Sequence, residues 1–113
     1  MAVYDDGIWV ASGDGSKSTD FKIHFNPQYG GAVDELYLGS DFTTNKVAKP
    51  QAGSGGLTLI EQDGFSQAET KSLTLEVLEQ SKVRVVVRNI FALGNGNGEG
   101  REAEIEERWA IYA

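Results

Sequence analysis

His24 is the only histidine of the chain, and there is no cysteine. A lone imidazole cannot build a two-histidine metal site. Without thiols, disulfides, cysteine-ligated zinc and cysteine nucleophiles are excluded. A Ser-His-Asp arrangement would need His24 as its base. The nearby Ser12, Ser16 and Ser18 are loop serines with no strand–turn–helix context to expose a nucleophile. Seventeen acidic residues always allow a glycosidase-like carboxylate pair. The one adjacent pair in a strand-like segment, Glu106-Glu107, would point to opposite faces and could not act on one bond. The chain therefore reads as noncatalytic.

Binding chemistry is better represented. Arg84, Arg88 and Arg108 occupy even positions in two alternating segments, with Tyr112 at the end of the second. Guanidinium groups offer paired donors to carboxylates and hydroxyls, and a flanking aromatic can stack on a sugar ring. Trp9 lies between Ile8 and Val10, and Tyr37 between Leu36 and Leu38, so both are expected to turn outward, either as an exposed recognition surface or half-buried at a sheet edge or under the 39–56 loop. Exposed aromatics beside polar groups are typical of recognition surfaces. No cofactor is expected, apart from a structural calcium ion as the plausible metal. Asp5-Asp6, Asp14-Gly15-Ser16, Asn95, Asn97 and Glu99 could give it oxygen ligands, although no segment has EF-hand spacing. The glycine-rich run 94–100 is not a phosphate cradle. It lacks the following lysine and joins two strands rather than opening a helix.

The elements that must position these residues are strands. A chain of 113 residues with 40% hydrophobic residues, 14 glycines and 2 prolines fits one turn-rich domain over 1–113. Alternation at period two predicts strands at 8–11, 21–25, 32–38, 57–61, 73–78, 83–91 and 105–112. Between them lie turn signals such as Ser12-Gly13-Asp14-Gly15, Asn26-Pro27 with Gly30-Gly31, and Asp63-Gly64. The stretch 65–72 could hold one helical turn, and 39–56 is the longest irregular segment. Many short strands predict an all-β fold, an antiparallel β-sandwich of about seven to eight strands, for which a jelly-roll-like order is one arrangement. The chain stops on the strand Trp109-Ala110-Ile111-Tyr112-Ala113. The expectation is a module excised from a longer protein.

Closing the glycine loop symmetrically pairs Phe91 with Ala103, Val85 with Trp109 and Val83 with Ile111. These residues, with Leu73, Leu75 and Val77, form the expected core face. Glu107 then falls opposite Val87, which calls for an open end or a bulge. The other face carries Arg84, Arg88, Glu104, Glu106, Arg108 and Tyr112, with Thr74 and Glu76 beyond. Arg88 is expected across from Glu106, and Arg84 diagonal to Arg108. This face is either a solvated one laced by ion pairs or a polar binding platform. His24 is expected on the solvated side of its strand.

Two segments carry a family resemblance. Phe25-Asn26-Pro27, followed by Gly30-Gly31-Ala32-Val33-Asp34-Glu35-Leu36, resembles the opening of β-sandwich domains in carbohydrate-active proteins of the mutarotase-like, supersandwich kind. Glu107-Arg108-Trp109-Ala110-Ile111-Tyr112 is similar to a late strand of such domains. The enzymes among them carry a histidine pair or catalytic carboxylates, so the resemblance implies a noncatalytic carbohydrate-binding module here. It would bind a polysaccharide through Trp9, Tyr37, Arg84, Arg88, Arg108 and Tyr112. An arginine-led site would favour an acidic glycan, and an aromatic-led site a neutral one. The alternatives are a structural or assembly domain making protein–protein contacts, and a fragment of a polysaccharide hydrolase or lyase. With a formal charge of −7, neither nucleic acid nor an anionic membrane is an expected partner. An accessory module of this kind is expected to be secreted or at the cell surface, although residues 1–6 carry no signal-peptide pattern.

Overall fold

The computed structural model describes residues 2–4, 7–47, 67, 70–93 and 103–112. They form an all-β structure of two antiparallel sheets. The first holds β1 (Ala2–Tyr4), β2 (Ile8–Ser12), β3 (Phe21–Asn26) and β4 (Ala32–Leu38) in that order. The second holds β5 (Ser72–Gln80), β6 (Arg84–Leu93) and β7 (Ala103–Tyr112). Six of the seven expected strands are present, and β1 is an addition. The strand expected at 57–61, the glycine loop 94–100, residues 48–56 and half of the helical turn expected at 65–72 lie outside the described residues.

Apolar alternation builds the interior. Ile8, Val10, Ile23, Phe25 and Val33 of the first sheet cluster with Val85 and Val87 of the second. Leu75, Val77, Trp109 and Ile111 pack against this cluster. The ring of Trp109 meets Phe25 edge-on, with centroids 5.6 Å apart. Each such aliphatic or aromatic burial contributes about 1.5–3 kcal/mol.

The β6–β7 register differs by two residues from the symmetric closure. Phe91 pairs with Ile105, Val87 with Trp109, Val85 with Ile111 and Arg88 with Arg108. A slip of two keeps every side chain on its expected face, but it exchanges the partners. The observed pairing sets large apolar residues opposite one another, where cross-strand contact stabilises most. Val83 precedes β6 and is 67% exposed, so it is not a core residue. Leu73 is also exposed rather than core. The β5–β6 register shifts between Ser72 and Thr74, and a bulge re-aims the side chain it displaces.

Glu107 needs neither an open end nor a bulge, because its cross-strand partner is Asn89. Asn89 is fully buried, and its amide donates to Glu107 Oε1 (3.0 Å) and to the Gly30 carbonyl (2.7 Å). Buried Gln67 donates to the same two acceptors, at 2.8 and 2.9 Å. Ser72 Oγ donates to Asn89 Oδ1 at 2.8 Å. This network fastens the turn after β3 to the second sheet. That turn is a 3-10 helix, Pro27–Tyr29. Asn26 caps it by accepting from the Gln28 amide, and Gly30 ends it in the left-handed region at φ 66°.

Candidate functional site

The register of the first sheet gathers one outward face. Trp9 lies across from His24, Lys22 from Tyr37, and His24 from Glu35. Trp9 and Tyr37 are both half-buried, with Ile8 and Val10 turned inward as expected. Their rings stack at 6.4 Å with an interplanar angle of 26°. Phe42 extends the stripe, 6.4 Å from Tyr37. It is carried by a loop that Asp41 organises by accepting from the Thr43 amide, the Thr43 hydroxyl and the Thr44 amide. These bonds hold the Asp41 carboxyl well below the usual carboxylate range. The Lys22 ammonium lies over all three rings, at 4.9 Å from Trp9, 4.7 Å from Tyr37 and 5.5 Å from Phe42. Such contacts attract the cation to the negative ring faces.

The floor of this face is polar. The Tyr37 hydroxyl donates to Glu35 Oε1 at 2.6 Å, and this bond pushes its pKa up to about 12. His24 is not solvated, because it is only 5% exposed. Trp9 covers one side of its ring at a centroid distance of 4.4 Å, and Nδ1 is 2.6 Å from Asp34 Oδ1. The cause is a register shift between His24 and Phe25, which pair with Glu35 and Val33 and leave Asp34 as the extra residue.

The arginines share one face, as alternation required, but their neighbours differ from expectation. Arg88 stands opposite Arg108, and Arg84 opposite Tyr112. Arg84 is therefore not diagonal to Arg108. Arg84 pairs with Glu79 and lies 6.0 Å from the Tyr112 ring. Arg88 bonds Glu106 at 2.6 Å and Glu76 at 2.9 Å, while Arg108 shares Glu106 at 3.1 Å. Arg88, and after it Arg108, hold the Glu106 carboxyl below its ordinary value. Trp9 and Tyr37 thus belong to the outer face of one sheet, and Arg84, Arg88, Arg108 and Tyr112 to the outer face of the other. The six residues do not make a single platform.

Of the calcium candidates, Asp5, Asp6, Asn95, Asn97 and Glu99 lie outside the described residues. In the β2–β3 loop, Asp14 Oδ1 accepts from the Ser16 amide at 3.0 Å. Asp20 Oδ2 accepts from the amides of Gly15, Ser16 and Lys17, at 3.1, 3.1 and 3.0 Å. Backbone amides thus satisfy Asp14 Oδ1 and Asp20 Oδ2.

Sequence reasoning passed over Lys22, Phe42, Asp34 and Glu35. The parity of Lys22, which shares a face with Trp9 and Tyr37, could have been read. The bulge that turns Asp34 toward His24 leaves no signature in alternation. No protein-family model matches the chain, and neither a curated protein nor a solved structure matches it.

Proposed function

We propose that the chain is a noncatalytic carbohydrate-binding module with a β-sandwich fold, and that the Trp9–Tyr37–Phe42 face receives the glycan. The sandwich is supported by the core cluster shared between the two antiparallel sheets. The carrying observation for the function is the near-parallel stack of Trp9 and Tyr37 on one sheet face, with Glu35 alongside and the Lys22 ammonium over the rings, from which a stacking sugar would displace it. Flat apolar rings bind the C–H face of a pyranose, while charged neighbours hydrogen-bond its hydroxyls. On the other face, Arg84, Arg88 and Arg108 already bond Glu76, Glu79 and Glu106, which favours a neutral glycan over an acidic one. The acidic reading keeps one point of support. Arg108 is 61% exposed and directly opposite Arg88, so an anion could bridge the two.

Affinity electrophoresis against neutral and uronic polysaccharides tests both readings. Retardation by a neutral glycan that is lost in Trp9→Ala and Tyr37→Ala supports the aromatic face. Retardation by alginate or pectin that is lost in Arg108→Ala moves the site to β6 and β7. Unchanged mobility on every glycan overturns carbohydrate binding. It would then favour an assembly role through β7, which has ten residues, pairs with β6 without a bulge and is last among the described strands of its sheet. A concentration-dependent dimer in solution scattering would be its sign.

A further inference from the structure

We propose that His24, Asp34 and Glu35 bind one divalent first-row transition-metal ion such as Zn2+. One ligand atom from each residue falls within a span of 4.8 Å. His24 Nδ1 is 2.6 Å from Asp34 Oδ1 and 3.9 Å from Glu35 Oε2.

The convergence is built by the fold. In a regular strand, the consecutive Asp34 and Glu35 would point to opposite faces. Pairing Phe25 with Val33 and His24 with Glu35 leaves Asp34 as a bulge residue, and both carboxylates then reach the same imidazole. Bulges re-aim side chains in this way beside functional sites. Each carboxylate is also oriented from outside the trio. The Asn26 amide holds Asp34 Oδ2 at 2.8 Å, and the Tyr37 hydroxyl holds Glu35 Oε1 at 2.6 Å. Each acid is left with its other oxygen toward His24, as outer-shell donors orient metal ligands.

The imidazole is equally constrained. His24 is nine-tenths buried and covered by Trp9. Its Nε2 edge packs against Gly7, where an added Cβ would come within 2.9 Å. The Nδ1 edge is the one presented to the two acids. Side-chain exposure rises from 6% at His24 to 11% at Asp34 and 35% at Glu35, so the trio opens to solvent on the Glu35 side. Water can complete the coordination there.

One nitrogen and two carboxylate oxygens suit zinc-like ions. Calcium and magnesium prefer all-oxygen shells. Metal–ligand distances of about 2.0–2.2 Å place neighbouring ligand atoms about 3 Å apart or more. The ion therefore takes the place of hydrogen between Nδ1 and Oδ1: an imidazolium gives up its Nδ1 proton to solvent and keeps Nε2–H, a neutral imidazole coordinates as the Nε2–H tautomer, and the pair widens by about half an ångström. Among the described residues no ion pair joins Lys22 to these carboxylates; its ammonium rests over the three rings. The site stands whether or not the face above it binds a glycan.

Calorimetric titration of chelator-stripped protein with Zn2+ near neutral pH should show one ion per chain. Ni2+ should quench tryptophan fluorescence through Trp9, and Trp9→Phe should lose that quench while keeping the Zn2+ heat. Glu35→Gln leaves the His24–Asp34 bond in place. It should weaken Zn2+ about tenfold or more while the metal-free chain still unfolds cooperatively, at a melting temperature lowered by loss of the charged acceptor of Tyr37. Asp34→Asn and His24→Gln should abolish stoichiometric binding. No saturable heat up to millimolar Zn2+ overturns the proposal and leaves a hydrogen-bonded His24–Asp34 pair. Binding that survives Glu35→Gln and Asp34→Asn unaltered also overturns it, since the ions would then sit on scattered surface carboxylates. Should His24→Gln fail to fold, Glu35→Gln still decides.

Discussion

Asn89 donates to Glu107 Oε1 at 3.0 Å from directly across the β6–β7 pair, inside the apolar interior. The same amide also satisfies the Gly30 carbonyl. Asn89→Ala removes one of the two amides that donate to each acceptor, leaving Gln67 as the other, and takes the partner from Ser72 Oγ. Each lost hydrogen bond is worth about 0.5–1.5 kcal/mol, so urea unfolding should show a loss of at least one such increment. Glu107→Gln keeps an acceptor oxygen and should lose less. Equal stability of wild type and Asn89→Ala would show that water replaces the amide.

The close approach of Gly31 to Asn89 gives a second prediction. Gly31 has φ 80°, and an added Cβ would lie 2.1 Å from Asn89 Oδ1. Both the backbone and the contact oppose a side chain, so Gly31→Ala should destabilise by more than about 1 kcal/mol. Part of the loss is steric and belongs to Asn89. In an Asn89→Gly background the same substitution should therefore cost less, a coupling that a double-mutant cycle measures. Strict additivity would place the whole penalty in the backbone.

These two residues also show where the sequence could be read and where it could not. Alternation was sufficient to assign faces. Val85 and Val87 turn inward and Arg84, Arg88 and Arg108 outward, and that parity survives a register slip of two. It was not sufficient to assign partners, because facing Phe91 with Ile105 rather than Ala103 depends on how the loop closes. Bulges were invisible for the same reason. Leu73 reads as a core residue until the β5–β6 pairing skips it, and Asp34 reads as an ordinary strand residue until it is squeezed toward His24. His24 looked solvated because an alternating strand puts it opposite Ile23 and Phe25. In the folded chain, Trp9 covers it on that outer face.

Tyr37 and Glu106 give opposite pH signatures. Bonding to Glu35 raises the Tyr37 pKa to about 12, against about 10 in the unfolded chain. A raised value favours the protonated form in the fold. That contribution is complete below the unfolded value and is lost as pH rises from about 10 through about 12. Ultraviolet titration should show Tyr37 ionising late, restored toward the ordinary range in Glu35→Gln. Glu106 is depressed, chiefly by Arg88. Its contribution is complete above the unfolded value of about 4.3 and fades as pH falls through the lower folded value. Glu106→Gln should flatten the acid limb of the stability curve, and high salt should shrink the difference, as for any exposed ion pair. Superimposable acid limbs for wild type and Glu106→Gln would remove the arginine cluster from the stability of the second sheet.

The β2–β3 loop should depend on one carboxylate. Asp20 is 7% exposed and accepts from three consecutive backbone amides, Gly15, Ser16 and Lys17. Gly13 packs so closely on it that an added Cβ would lie 2.0 Å from Oδ1. Charged acceptors of this kind contribute more than neutral ones, about 1.5–3 kcal/mol per bond. Asp20→Ala should therefore destabilise the chain by at least one such increment. It should also raise hydrogen exchange at the amides of Gly15, Ser16 and Lys17. Asp20→Asn keeps an acceptor oxygen but loses the charge and adds two donors facing the same amides, so it should fall between wild type and alanine. The loop also bears on the aromatic stripe, because an added Cβ at Gly15 would come within 2.8 Å of the Phe42 ring. Loosening it should weaken any ligand held by Phe42 more than one held by Trp9. Unchanged exchange at the three amides in Asp20→Ala would mean that the turn forms without its carboxylate.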